Sequence, residues 1–140
     1  MKERCGKLTC EILIVLDFDD TLLHKDGRQE DYAILEKLQQ LGAELCIASR
    51  NDRYHLENQL TQLNIQDYFR YVMADFRPKS YQVKHILWLY KQEDCEFGKV
   101  LFVDDYLPNI DRVRQDNPSV HCFQFGQDIH SLAELIELVN

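Results

Sequence analysis

No apolar run in this sequence is longer than five residues, Ile12 to Leu16 being one such run, against the roughly 20 residues that a bilayer-spanning helix needs. That absence excludes a transmembrane helix. Cationic excess is lacking as well, since 16 Lys and Arg stand against 24 Asp and Glu, a formal net charge of −8. Bulk electrostatic binding of nucleic acid is therefore excluded, because counterion release needs clustered cations; a local site for one phosphate is not. None of the five cysteines (Cys5, Cys10, Cys46, Cys95, Cys122) forms a C-x-x-C pair, and the five histidines fall at no metal-motif spacing. A zinc site is set aside on that ground. Cys46 in an apolar run and Cys122 in an alternating one read as buried thiols of a reducing compartment. Residues 1–11 interleave Lys2, Glu3, Arg4, Lys7 and Glu11 and lack the apolar block of a signal peptide. A cytoplasmic protein is expected. Repeats, low-complexity tracts and linkers are missing too, and 140 residues suit one domain, 1–140, with no room for a second of ordinary size.

What is present is an alternation of short β-branched runs with longer amphipathic ones. Strands are expected over Glu11–Phe18, Ala43–Ala48, Tyr71–Ala74, Val100–Val103 and Val120–Phe125. Helices are expected over Asp31–Leu41 (stripe Ile34, Leu38, Leu41, stopped by Gly42), Asp52–Leu63 (Leu56, Leu60, Leu63) and Ser80–Glu93 (Val83, Ile86, Leu87, Tyr90). A fourth follows Pro108 with Ile110 and Val113, and a fifth opens at the capping-box pattern Ser131-x-x-Glu134. Such an order implies a three-layer α/β fold, Rossmann-like, with a parallel sheet of about five strands covered by helices on both faces. Ligands in such folds bind beyond the carboxyl ends of the strands, so the strand ends carry the functional question.

Strand one ends in Asp17-Phe18-Asp19-Asp20-Thr21, strand two in Ser49-Arg50 and strand four in Asp104-Asp105, while Lys79 follows strand three. Gathered at one sheet edge, these carboxylates repel unless a hard cation sits among them, and Mg²⁺ suits a few carboxylates with room left for phosphate oxygens. Asp17 and Asp19 are two residues apart and so project to the same side of an extended segment. One carboxylate then attacks phosphorus while the other handles a proton. Ser49 and Lys79 hold phosphoryl oxygens.

Asp17-x-Asp19-x-Thr21, Ser49, Lys79 and Asp104-Asp105 together resemble the four motifs of the haloacid dehalogenase (HAD) superfamily, in order and over nearly the whole chain. The resemblance implies that Asp17 is a nucleophile forming an aspartyl phosphate and Asp19 the acid/base. It further implies that Mg²⁺ is bound by Asp17, by the Asp19 backbone carbonyl and by Asp104, with Asp105 supporting the metal or Lys79 and Thr21 supporting the loop. Ser49, Lys79 and Arg50 are the phosphate-binding candidates, Arg50 being as consistent with surface pairing as with a substrate anion. Asn109 reads as a support for Asp105 or the loop, or equally as a cap or turn residue. Two subgroups are similar in detail: the small magnesium-dependent phosphatases, through Ala48-Ser49-Arg50 and Asn58-Gln59-Leu60, and the FkbH-like group (HAD subfamily IIIC), through Ser49-Arg50-Asn51-Asp52, Asp75-Phe76-Arg77-Pro78-Lys79-Ser80 and Val103-Asp104-Asp105. The Trp-Gly-Gly stretch that usually follows the first motif of the second group is missing. The expected activity is Mg²⁺-dependent hydrolysis of a phosphate monoester, on a phosphoprotein or a sugar phosphate. The alternatives are phosphoryl or glyceryl transfer involving a carrier protein and a non-catalytic phosphate-binding module.

Trp88 and Tyr90 read as packing residues. Between Thr21 and Ser49, and between Ser49 and Lys79, the chain is too short for the cap domain that many members of the superfamily fold over small substrates. An open site without a cap is expected, suited to a phosphorylated macromolecule or carrier, or to a small substrate closed over by a second subunit.

Overall fold

The computed structural model describes residues 10–140; the charged segment read above as lacking a leader, with Cys5, lies outside the described residues. Strands β1 (Ile12–Leu16), β2 (Ala43–Arg50), β3 (Tyr71–Asp75), β4 (Lys99–Asp104) and β5 (His121–Gln124) form one parallel sheet in the order β3-β2-β1-β4-β5. Helices α1 (Ala33–Gln40), α2 (Arg53–Leu63), α3 (Lys79–Lys91), α4 (Leu107–Asp116) and α5 (Leu135–Val139) alternate with the strands. The strand order reverses between β1 and β4, the crevice at which such sheets bind ligands. No helix among the described residues is long and apolar enough to cross a membrane.

Both faces of β1 are buried, which is why its sequence is a continuous apolar run. Ile14 and Leu16 join Leu35, Leu38, Leu56, Leu60 and Leu135 in one core cluster, packing α1, α2 and α5 on one face. Leu13 and Val15 join Val83, Ile86, Tyr90, Ile110 and Val113 in the other, packing α3 and α4 opposite. Burying a Leu or Ile side chain is worth roughly 1.5–3 kcal/mol, so the β1 row alone anchors the strand that carries the first motif.

Several local expectations shift. Leu35 is the fully buried partner of Leu38 on α1, while Ile34 and Leu41 are partly buried against the same cluster. β2 runs on through Ser49 and Arg50, since β3 pairs with them as far as Arg50↔Asp75. α3 begins at Lys79 itself, after Pro78. Asp52 is the cap of α2, its carboxylate accepting the His55 N–H at 2.9 Å. The capping box forms at Glu134, whose carboxylate accepts the Ser131 N–H at 3.1 Å, although it opens a 3₁₀ turn (Leu132–Glu134) before α5. Trp88 is exposed rather than packed, whereas Tyr90 is fully buried.

The cysteine expectation also changes. Cys10 and Cys95 form a disulfide, with Cα atoms 5.4 Å apart across 85 residues of sequence. Each cysteine sits just before a strand, and β1 and β4 are neighbours in register Ile12↔Lys99. Parallel pairing therefore brings the two together. Cys46 is a buried free thiol and Cys122 a half-buried one.

Candidate active site

The nucleophile candidate is positioned by the sheet itself. Asp17 follows β1 directly, and its N–H donates to the Val103 carbonyl of β4 at 2.9 Å. Its nearly buried carboxylate accepts the Lys79 ammonium at 2.8 Å on Oδ1 and the Thr21 hydroxyl at 3.4 Å on Oδ2. Thr21 is thus a prop for Asp17.

Asp104, at the end of β4, is held from three directions. Its Oδ1 accepts the Tyr106 N–H at 3.0 Å, and its Oδ2 accepts Lys79 Nζ at 2.6 Å and Asn109 Nδ2 at 3.1 Å. Asn109 accordingly orients Asp104, not Asp105. Lys79 bridges Asp17 and Asp104, and Asp105 is not its partner. Ligand oxygens of Asp17, Asp104 and Asp105 all lie within 4.8 Å of one another, which places Asp105 in the carboxylate group rather than behind it. The Asp19 side chain stands outside that group and is exposed.

Electrostatics follow from this crowding. Burial alone would push the Lys79 ammonium down, but the facing carboxylates of Asp17 and Asp104 more than offset it and hold its pKa above the ordinary value. Asp17 is held well above the ordinary carboxylate range, first by burial and, against the pull of Lys79, by the charge of Asp104. One ammonium cannot neutralise two buried carboxylates and a third beside them. Asp19 is raised too, first by the partial desolvation its carboxyl meets where it lines the cavity and then by the charge of Asp20, so that carboxyl keeps a proton more readily than a free one. Asp105 is raised first by burial.

Ser49 and Arg50 complete the wall. Ser49 is buried, and its carbonyl accepts the side-chain amide of Gln82 at 2.9 Å. The same amide reaches the Asp75 carbonyl at 3.2 Å and so ties the ends of β2 and β3 together. Gln82 was not singled out from the sequence; its signal is the position three residues after Lys79, on the same helical face. Arg50 is exposed, its guanidinium donating to the Phe76 carbonyl at 3.2 Å. Asp20, at φ 60°, takes the left-handed conformation and accepts the Lys25 N–H at 3.0 Å, a structural loop role.

These residues line a cavity of about 210 Å³: Asp17, Asp19, Asp104 and Asp105 with Lys79, Ser49 and Arg50, and at the rim Lys25 and Tyr106. A larger one, about 640 Å³, lies near β5 and α5 and includes none of them. Among the described residues, the candidate residues read from the sequence (Asp17, Asp19, Ser49, Lys79, Asp104 and Asp105) converge at the smaller cavity, which makes it the candidate active site. Between β1 and α1 the chain forms a short flap, with bridges Asp19↔Leu23 and Leu23↔Gln29, and no separate cap.

The donor set fits a hard divalent cation. Three clustered carboxylates with too little positive charge among them are oxygen ligands of the kind Mg²⁺ takes.

Residues 28–114 match the sequence profile of the family described as haloacid dehalogenase-like hydrolase. The matched stretch takes in Ser49, Lys79, Asp104 and Asp105 and begins after Asp17. No curated protein matches the chain in sequence. Among solved structures, the N-terminal part of protein BF1531 from Bacteroides fragilis, containing a phosphatase domain complexed with Mg, superposes with a TM-score of 0.70 at 18% identity. That match covers 97% of this chain and 41% of the other, so this chain spans less than half of that structure's length. The 3-deoxy-D-manno-octulosonate 8-phosphate phosphatase of Moraxella catarrhalis, in complex with magnesium, phosphate and KDO, gives 0.56 at 16% identity, covering 94% and 86%. The HAD domain of effector protein Lem4 from Legionella pneumophila gives 0.67 at 14% identity, covering 96% and 95%. The likeness to all three is one of fold.

Proposed function

The chain belongs to the haloacid dehalogenase-like hydrolase family, and on that premise we propose that it is a Mg²⁺-dependent phosphohydrolase working through an aspartyl phosphate on Asp17. The observation that carries this reading is the placement of Asp17, bonded to Lys79 and Thr21, beside Asp104 and Asp105 in a cavity that Ser49 and Asp19 also line. The Mg and phosphate held by relatives of the same fold support it.

Asp17 attacks phosphorus, forming an O–P bond as the bond from phosphorus to the leaving oxygen breaks. Asp19, acting as the acid, gives a proton to the leaving oxygen. Asp19, now a carboxylate, removes a proton from water, which attacks the aspartyl phosphate; the bond from phosphorus to Asp17 breaks, releasing phosphate and restoring both residues. Lys79 and Ser49 hold the phosphoryl oxygens in line. Asp17, the Asp19 carbonyl and Asp104, with Asp105 alongside, would hold the cation. When bound, Mg²⁺ supplies the positive charge that the carboxylates lack, keeping Asp17 ionised and neutralising the phosphoryl group.

The open site suits a bulky phosphorylated substrate, or a small one closed over by a second subunit. Supporting this, the flap is short and Tyr54, Phe76, Tyr106 and Leu107 stand exposed on the loops and helix starts beyond β2, β3 and β4.

Release of phosphate from p-nitrophenyl phosphate with Mg²⁺ tests the reading. Turnover is expected to vanish with EDTA and to fall at least about 10³-fold in Asp17→Asn; turnover that survives both overturns the mechanism.

A further inference from the structure

Two exposed cations line the cavity without belonging to its floor. Lys79 is buried between Asp17 and Asp104, at the point where the reacting phosphoryl group is held. Arg50 and Lys25 stand at the wall of the same cavity.

Arg50 is oriented but uncompensated. Its guanidinium donates to a neutral acceptor, the Phe76 carbonyl, and among the described residues it pairs with no carboxylate. The acid opposite it in the sheet register is Asp75. That carboxylate is already taken by Arg77, through Nε at 3.1 Å, a terminal nitrogen at 2.8 Å and the backbone N–H at 3.0 Å, and by Gln82 at 3.0 Å. Burial would raise its pKa, but these donors hold it down to about 2, so Asp75 is a satisfied anion. Lys25 is placed by its own backbone N–H on Asp20, while its ammonium lies a loose 3.7 Å from that carboxylate and is 85% exposed.

The reacting phosphoryl group is not the obvious partner of Arg50. Consecutive strand residues project to opposite sides, and at the end of β2 Ser49 is buried while Arg50 is exposed. The guanidinium is therefore offset from the point that Asp17 and Ser49 define. A planar guanidinium fork that pairs with no carboxylate among the described residues is suited to a carboxylate or a second phosphate.

We propose that Arg50, aided by Lys25, is a specificity residue that binds a second anionic group on the leaving-group side of the phosphate ester. This rests on the phosphohydrolase reading above and narrows its substrate class to esters carrying an acidic group close to the phosphate. That group has two sources, a small organic phosphate or an acidic residue beside a phosphoserine.

Two matched pairs of substrates separate the sources: 3-phosphoglycerate against glycerol 3-phosphate, and a phosphoserine peptide with Glu against Gln at the neighbouring position. With Mg²⁺ present, kcat/KM is expected to favour the acidic member of one pair by about tenfold or more. Arg50→Gln should bring that ratio close to one. Arg50→Lys should restore part of it, and Lys25→Gln should lower it less. Arg53→Gln, whose cation pairs with Glu57 outside the cavity, should leave the ratio as it is, with melting temperatures confirming that all variants fold. Turnover of every substrate with ratios near one, or a preference that Arg50→Gln keeps, overturns this inference and leaves the phosphohydrolase standing. Failure to turn over any of the four, or p-nitrophenyl phosphate, overturns both.

Discussion

Helix α3 carries a buried polar side chain at each end, and the two ends differ in kind. Lys79, its first residue, lies between Asp17 and Asp104. Tyr90, eleven residues on and about 16 Å along the axis, sits in the core beneath the opposite end of the sheet. There its hydroxyl donates to Glu44 Oε1 at 2.9 Å and meets the Cys46 thiol at 3.3 Å, with Tyr71 and Phe97 edge-on to its ring. At the Tyr90 end, polar groups are matched and wrapped in aromatics. At the Lys79 end, carboxylates outnumber the ammonium and a cavity is left open beside them. Buried polar groups are costly unless partnered. The unbalanced end is therefore the one that awaits a cation and an anionic substrate, and the balanced end is scaffold.

Asp17→Asn tests the imbalance most severely. Beyond its effect on turnover, it should change how the metal-free protein responds to pH. An aspartate whose pKa is raised by folding binds its proton more tightly in the folded state than in the unfolded chain. Its contribution to stability is complete below the ordinary value of 3.8 and is lost as pH rises through the raised value. Metal-free Asp17→Asn should thus melt above the wild type at pH 7, with the gap closing as pH falls toward 4; thermal melts in EDTA across that range check it. A constant gap would mean that Asp17 is not the strained carboxylate.

Asn109→Ala removes one of the donors that hold Asp104. Loss of such an orienting bond should weaken the apparent affinity for Mg²⁺ by about 10- to 100-fold, read as a rise in the metal concentration needed for half-maximal turnover. The corresponding change at the other end, Tyr90→Phe, should do the reverse. Glu44 and Cys46 each lose a partner, costing about 1–3 kcal/mol in denaturant unfolding, while the Mg²⁺ dependence stays unchanged. The smallest effect concerns Cys46, whose pKa burial pushes up to about 12. Iodoacetamide at pH 8 should leave it unmodified in the folded protein and alkylate it once the chain is unfolded, as mass spectrometry would show.

Much of the fold and of the site is legible in the sequence. The apolar run Ile12–Leu16 marked a strand buried on both faces, and Asp17, Ser49, Lys79 and Asp104 were placed at strand ends by spacing alone. The structure brings all four to one cavity. What sequence could not show was who bonds to whom. By its spacing Asn109 suits a support for Asp105 or the loop, or a cap or turn; its amide reaches Asp104, because the turn into α4 decides which carboxylate faces inward. Trp88 and Tyr90 fall two residues apart on one helix, and a two-residue step turns about 200° around the axis, so one is buried and the other exposed.

The sequence by itself determined the order of strands and helices and the acid-rich strand ends, because periodicity and turn chemistry are local properties. Tertiary structure decided the partnerships: the Cys10–Cys95 link, the shared Lys79 and the uncompensated Arg50. Each depends on which strands lie side by side and which face a side chain takes, and parallel pairing sets those between residues tens of positions apart.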